Sequence, residues 1–252
     1  MLAKERLAYI VNRLQVRPSI SIQNLSKELN VSLSTVQRDL RKLEQDGRIE
    51  RSFGGAISNQ VSKVLSERNE IAVSEKIHIH KIEKEIIAKV AVQQIQEGEC
   101  IFLDSGTTIA HMVPYLMSKH ITIVTNSLYL QRNLVGCLGQ VFLLGGVYNT
   151  KFDMTLGSAT NMALEELHFD RAFMSASGID LKCKELYSVE SDIASIKKIV
   201  LKRAEHKYVL VDHSKFMITA IHTFAKVNDF DYIFTDKEIK SERIIKNLYY
   251  CK

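Results

Sequence analysis

Cysteine is scarce and scattered. Cys100, Cys137, Cys183 and Cys251 stand far apart, with no paired spacing and no histidine cluster beside them. That pattern argues against a disulfide framework or a zinc site, and for reduced thiols in the cytosol. No apolar run approaches the roughly 20 residues that span a bilayer, so no membrane partner is expected. The opening Met1-Leu-Ala-Lys-Glu-Arg carries charges of both signs around no apolar stretch, and it does not read as a signal peptide. There is no internal repeat and no low-complexity tract.

What is present suits a soluble globular protein. Of 252 residues, 46% are hydrophobic and 25% charged, enough apolar material for a real core. The length favours two domains, although one larger α/β unit is allowed. The net charge of +5 is unevenly spread: residues 1–55 hold ten Lys/Arg against six Asp/Glu, leaving 24 against 23 in the rest. A basic terminal module on a nearly neutral body points to a polyanionic partner.

That module reads as three short helices. Leu7, Ile10, Val11 and Leu14 form the stripe of the first, which Arg17-Pro18 ends. Ser21 caps a second, with Ile22, Leu25 and Leu29 inward. Ser32 caps a third, with Val36, Leu40 and Leu43 inward. The turn between the last two is about three residues, the helix-turn-helix arrangement. Outward on the third helix lie Ser34, Thr35, Gln37 and Arg38, with Arg41 and Lys42 a turn later. Gln and Arg can read adenine and guanine edges bidentately, while hydroxyls and lysines hold phosphates. Gly47 to Ile57 then reads as a small β-hairpin, a wing that sets Arg48 or Arg51 against the DNA backbone.

The run Val31-Ser-Leu-Ser-Thr-Val-Gln-Arg-Asp-Leu-Arg-Lys-Leu-Glu-Gln-Asp-Gly47, with Arg51-Ser-Phe-Gly-Gly-Ala56, resembles the DeoR family of bacterial transcriptional regulators. That family joins an N-terminal winged helix-turn-helix to a C-terminal sugar-phosphate sensor. Two positions depart from its pattern: Gln37 where the family more often has Arg, and Phe53 where it often has His. Residues 58–75 are polar and weakly patterned and read as a linker; Glu67-Arg68 within them echoes the family.

From 76 to 252 short apolar strands alternate with helices. Ile79, Ile82, Ile86 and Val90 stripe a helix ending near Gly98. Strands are expected at 100–103, 121–125, 141–144, 172–174, 208–211 and 232–235, and helices at 108–117, 127–134 and 191–203, with a last helix to Leu248. The alternation implies βαβ units and a mainly parallel sheet. In such a sheet the strand ends gather at one edge: Asp104-Ser105-Gly106-Thr107-Thr108, Thr125-Asn126-Ser127, Gly145-Gly146, Ser175 to Gly178, and Asp212 to Lys215. Open α/β folds bind ligands at that edge, and the strand–turn–helix junction at 104–108 suits a phosphate.

These segments also match the family's sensor, so the resemblance covers nearly the whole chain. It implies a Rossmann-like α/β body similar to ribose-5-phosphate isomerase. By the same resemblance Ser105, Gly106, Thr107 and Thr108 hold a phosphate, Lys215 offers a cation, and Asp104, Asn126 and Gly178 face the sugar. One departure falls at Glu185-Leu186-Tyr187, expected to be a loop near the sugar, where the family often has Gly-[Ile/Leu]-Thr. The expected partners are operator DNA and a phosphorylated sugar, with the chain a homodimer or homotetramer in the cytoplasm. Neither a metal nor a cofactor is expected: His78 and His80 do not face each other, and Asp229, Asp231 and Asp236 read as turn and cap residues. The rival reading is a sugar-phosphate isomerase or deaminase with an accessory DNA-binding module, for which Asp104, Asp212 and Lys215 could move protons. No positioned acid–base pair accompanies them.

Overall fold

The computed structural model describes every residue except 1–2, 17–18, 47–48, 53–54, 59–63, 66–71 and 240–244. The chain divides into two units, 1–69 and 70–252.

In the first unit the helices are Ala3–Val16, Ile22–Leu29 and Leu33–Gln45. Both expected caps form. Ser21 accepts from the Asn24 N–H at 3.1 Å and Ser32 from the Thr35 N–H at 3.2 Å, each satisfying a donor the helix itself leaves unpaired. Asn30, with φ of 49°, ends the middle helix in the left-handed conformation its short polar side chain tolerates. Ile10, Leu14, Leu25, Val36, Leu40, Leu43 and Ile49 are buried together as one core. An ion pair between Arg6 and the buried Asp39, 2.7 Å long, ties the first helix to the third. Strand Gly55–Ser58 lies between Ser19–Ser21 and Ile49–Ser52, antiparallel to both. A Cβ on Gly55 would meet the Ile20 carbonyl oxygen at 2.3 Å, so this crossing requires glycine. Arg17-Pro18, Gly47 and Phe53 lie outside the described residues.

The second unit is built on a seven-stranded sheet. In spatial order its strands are Leu248–Tyr250, Tyr232–Thr235, Ala204–Leu210, Phe169–Met174, Cys100–Leu103, Thr122–Thr125 and Gln140–Leu143, and every neighbouring pair is parallel. Chain order runs one way from Cys100–Leu103 and the other way from Phe169–Met174. Right-handed crossovers leaving in opposite directions place the helices on opposite faces. Lys81–Ala91, Thr107–Ala110, Val113–Leu116 and Leu128–Asn133 cover one face, and Ser191–Arg203 the other. The reversal falls between Cys100–Leu103 and Phe169–Met174, and the carboxyl ends of strands at such a point are where open α/β sheets bind ligands.

Several expectations need correction. The 108–117 helix is two single turns, the second carrying Pro114 in its first turn, where no helical N–H is needed. The helix after residue 76 spans Lys81–Ala91, so Ile79 lies before it and it ends well short of Gly98. Ile82 is 65% exposed, and the inward stripe is Lys84, Ile87, Ala88 and Ala91. Leu248 belongs to an edge strand rather than to a closing helix, because Leu248–Tyr250 pairs in register with Ile233–Thr235. Glu185-Leu186-Tyr187 is no loop: Glu185–Ser188 is the middle strand of a small antiparallel sheet between Gly178–Asp180 and His222–Lys226. Leu186 is fully buried there, and Tyr187 and Ser188 beside it are buried as well.

Candidate functional site

Helix Leu33–Gln45 presents a polar face. Ser34, Gln37, Arg38, Arg41 and Lys42 are exposed, while Val36, Leu40 and Leu43 turn inward. Gln37 and Arg41, and likewise Arg38 and Lys42, are four apart, so each pair stacks one turn above the other. The Ser34 and Thr35 hydroxyls each lie 2.9 Å from the Ser32 hydroxyl, grouping three oxygens at the helix start. Such a surface can enter a major groove end-on. Arg51 occupies a strand position opposite Ala56; Arg48 and the Arg51 side chain lie outside the described residues.

At the strand reversal of the second unit the organising group is Asp104. Its carboxylate, 3% exposed, accepts from the Gly106 N–H at 2.8 Å, the Ser175 N–H at 2.7 Å and the Ser175 hydroxyl at 2.9 Å. It also pairs directly with the ammonium of Lys197, which reaches in from helix Ser191–Arg203. Lys197 donates again to the Ser175 carbonyl at 2.8 Å, and its charge lies 5.3 Å from the centroid of the Phe224 ring. So Asp104 fastens two strand ends and one helix together, and it takes one of the N–H groups expected to face a ligand. A Cβ at Gly106 would stand 2.3 Å from the Ser175 hydroxyl, so the close approach of the two strand ends demands glycine. Thr107 and Thr108 are buried beside it.

The neighbouring strand end is joined through Met154. The Ser105 hydroxyl donates to its sulfur at 3.3 Å, and the Asn126 amide lies 3.6 Å away. Asn126 also donates to the Thr155 carbonyl at 2.9 Å, yet its buried side-chain oxygen has no protein partner. A buried acceptor of this kind normally finds a donor, and a ligand hydroxyl would supply one. Thr125 and Ser127 have local duties instead. The Thr125 hydroxyl accepts from the Ser127 N–H at 3.1 Å, and Ser127 caps the next helix through the Leu130 N–H at 3.2 Å. Gly146 is set by packing and backbone: φ is 149°, and a Cβ would meet the Thr160 hydroxyl at 2.1 Å. Gly178 is likewise set by packing, with the Ile218 carbonyl oxygen 2.3 Å from where a Cβ would be. Gly145 is exposed and open.

The third part of this edge is the turn after Ala204–Leu210. Burial would raise the Asp212 carboxyl, but the Lys215 charge, a hydrogen bond from Ser214, His80 and Lys84 together hold it below the ordinary carboxylate range. Lys84 lies in the first turn of helix Lys81–Ala91. Desolvation pushes its amine down to about 7 against the pull of Asp212. Ligand atoms of Glu83, His213 and Asp236 come within 4.8 Å of one another. Both Asp236 oxygens there accept from His213, from its N–H at 2.7 Å and its Nδ1 at 2.8 Å.

Lys84 and Lys197 are the residues that sequence reasoning passed over. Each carries a signal in hindsight, as a lysine on the inward stripe of an amphipathic helix: Lys84 with Ile87, Ala88 and Ala91, and Lys197 with Ala194 and Val200. Charged residues are almost never that deep without a task.

A winged helix-turn-helix unit with a polar, cationic recognition face, followed by a parallel α/β body with polar strand ends at one edge, defines a DNA-binding regulator carrying a sensor. Residues 6–62 match the DeoR-like helix-turn-helix domain and residues 79–237 the DeoR C terminal sensor domain, so the chain belongs to the DeoR family. It is similar to the uncharacterized HTH-type transcriptional regulator FruR of Bacillus subtilis, at 33% identity over 94% of this chain and 93% of that one. The lactose phosphotransferase system repressor of Streptococcus mutans is 31% identical over the same shares. Among solved structures, ribose 5-phosphate isomerase A from Methanocaldococcus jannaschii aligns with a TM-score of 0.41 at 21% identity, covering 54% of this chain and 55% of that one. The relatives are transcriptional regulators, not enzymes, and so is this chain. Among the described residues no helix is long and apolar enough to cross a membrane.

Proposed function

We propose that this regulator represses carbohydrate-metabolism genes from the cytoplasm, and that a phosphorylated sugar controls its grip on the operator. Residues 1–57 read DNA, 58–75 connect, and 76–252 sense. Ser34, Thr35, Gln37, Arg38, Arg41 and Lys42 face the groove, with Arg48 and Arg51 on the backbone. The effector lies along the carboxyl edge, its phosphate near Ser105, Gly106, Thr107, Thr108 and Lys215. Its sugar lies toward Asp104, Asn126 and Gly178, with Thr125, Ser127, Gly145 and Gly146 shaping the walls. One recognition helix covers few base pairs, so a homodimer or homotetramer engages repeated half-sites.

The observation that carries this reading is the buried, unpartnered Asn126 oxygen, at a strand end beside the point where the sheet reverses direction. The name of the Streptococcus relative, a lactose phosphotransferase system repressor, agrees with it. Effector and DNA affinities are linked: a sugar phosphate that weakens operator binding must itself bind less tightly to the DNA-bound form. The test is a gel shift on DNA upstream of the protein's own gene, titrated with a panel of sugar phosphates. A sequence-specific shift that at least one compound alters is expected. A specific shift that none alters would overturn the sensor assignment, and no specific shift at all would overturn the reader.

A further inference from the structure

Two buried lysines approach the carboxyl edge of the sheet from opposite faces, and their surroundings differ. Lys197 is saturated: it touches the Asp104 carboxylate, both Ser175 oxygens and the Phe224 ring. Lys84 is just as enclosed, at 2% exposure, yet its ammonium donates to a single neutral group, the Lys76 carbonyl at 2.7 Å. Among the described residues no carboxylate stands within ion-pair distance of it. The opposing charge it feels most is Asp212, which Lys215 and His80 also draw on. Lys76 and Lys215 push against Lys84, and Glu83 on its own helix offsets them only weakly. His111, held to the Ile77 carbonyl at 3.2 Å, lies near it just after Thr107–Ala110, and burial pushes the pKa of that imidazole down. The surroundings of Lys84 are therefore short of negative charge.

Its position is equally specific. Helix Lys81–Ala91 runs back along the sheet, so its first turn lies at the carboxyl edge. The helix packs against Thr107–Ala110 and against the strands Ala204–Leu210 and Tyr232–Thr235. Lys84 there feels the charges of Asp212 and Lys215, in the turn that follows Ala204–Leu210, and His111, next after Thr107–Ala110, feels that of Lys84.

We propose that Lys84 is an anion-binding residue of the sensor, sharing the effector's phosphate with Lys215 and taking up a proton as it does so. This rests on the sugar-phosphate reading above. In the free protein the Lys84 amine, held at about 7, is roughly half uncharged at neutral pH. A dianion beside it favours the charged form, so binding and protonation reinforce each other. Below pH 6 the amine is already charged and contributes no pH dependence. Above 7 each bound phosphate must bring a proton with it, so affinity falls toward tenfold per pH unit, about fifty-fold from pH 7 to 9. A phosphate monoester, with a second pKa of about 6, is already a dianion over that range, so the slope reports the protein.

Isothermal titration of the full chain at pH 7, 8 and 9 tests this, in two buffers of different ionisation heat. The probes are ribose 5-phosphate, hexose 1- and 6-phosphates and inorganic phosphate. The expected result is the fifty-fold decline, with uptake approaching one proton at pH 8 and above. Lys84→Met and Lys84→Gln, each checked by thermal unfolding, should bind at least tenfold more weakly at pH 7 and lose the slope. Should neither variant fold, the slope and the proton uptake of the unsubstituted protein decide alone. Binding with a flat pH profile and no proton uptake would overturn the role of Lys84 and leave the sensor reading intact, as would a slope that survives Lys84→Met. No binding by any probe would overturn the sensor reading and this inference with it.

Discussion

Replacing Lys197 by Met isolates the contact that joins both halves of the sheet. The side chains of Lys197 and Asp104 are each 5% exposed, so this is a desolvated pair. Removing one partner of such a pair typically costs about 3–5 kcal/mol, because the other charge stays buried. Here Asp104 would keep the N–H and hydroxyl of Ser175 at 2.7 and 2.9 Å, and Met would keep contact with Phe224. The expected loss therefore lies at the lower end, about 3 kcal/mol, or roughly 6–12 °C in Tm for a unit of this size. Asp104→Asn combined with Lys197→Met removes both charges, and the double variant should recover about 1–3 kcal/mol relative to the sum of the single losses. Urea denaturation of the four proteins at pH 7 measures the cycle. A loss below about 1 kcal/mol for Lys197→Met, or strictly additive single losses, would refute the reasoning, since a surface pair behaves that way and a desolvated one does not.

Arg38→Ala should weaken specific operator binding by about 1–3 kcal/mol, five- to 150-fold, if Arg38 reads a guanine; footprinting that shows the same site at unchanged affinity would remove it from the reading face. Thr107→Val should leave DNA binding intact and abolish the response to the effector in the gel shift, and a retained response would place the phosphate elsewhere. Gly146→Ala should destabilise the sensor by about 2 kcal/mol or more, because its φ of 149° and the Thr160 hydroxyl at 2.1 Å both oppose a Cβ; a melting temperature within 2 °C of the unsubstituted protein would argue for a freer turn.

The units most legible in the sequence were those whose signals are local. Ser21 and Ser32 cap helices because the donors they satisfy lie three residues away. The Ser191–Arg203 helix could be bounded from its pattern, since a long amphipathic stretch repeats its message over several turns. Where the signal was short the boundary failed. The stripe Ile79, Ile82, Ile86 and Val90 sets Ile82 inward and passes over Lys84, although the structure has them the other way round. Leu248 reads from its neighbours as the end of a helix, because nothing near it in the chain announces pairing with Ile233, fifteen residues earlier. Glu185-Leu186-Tyr187 was read as a loop for the same reason: its partners are Gly178–Asp180 and His222–Lys226, and the second is remote.

The Asp104–Thr108 strand end marks the division. Sequence by itself determined that the chain has a basic reader and an α/β body whose polar strand ends gather at one edge, because composition, periodicity and turn chemistry are properties of neighbouring residues. Tertiary structure alone decided what stands around those ends. Lys197 lies 93 residues from Asp104, and Lys84 reaches the same edge from the other face. Desolvation and charge pairing depend on distance in space, which the order of residues does not encode.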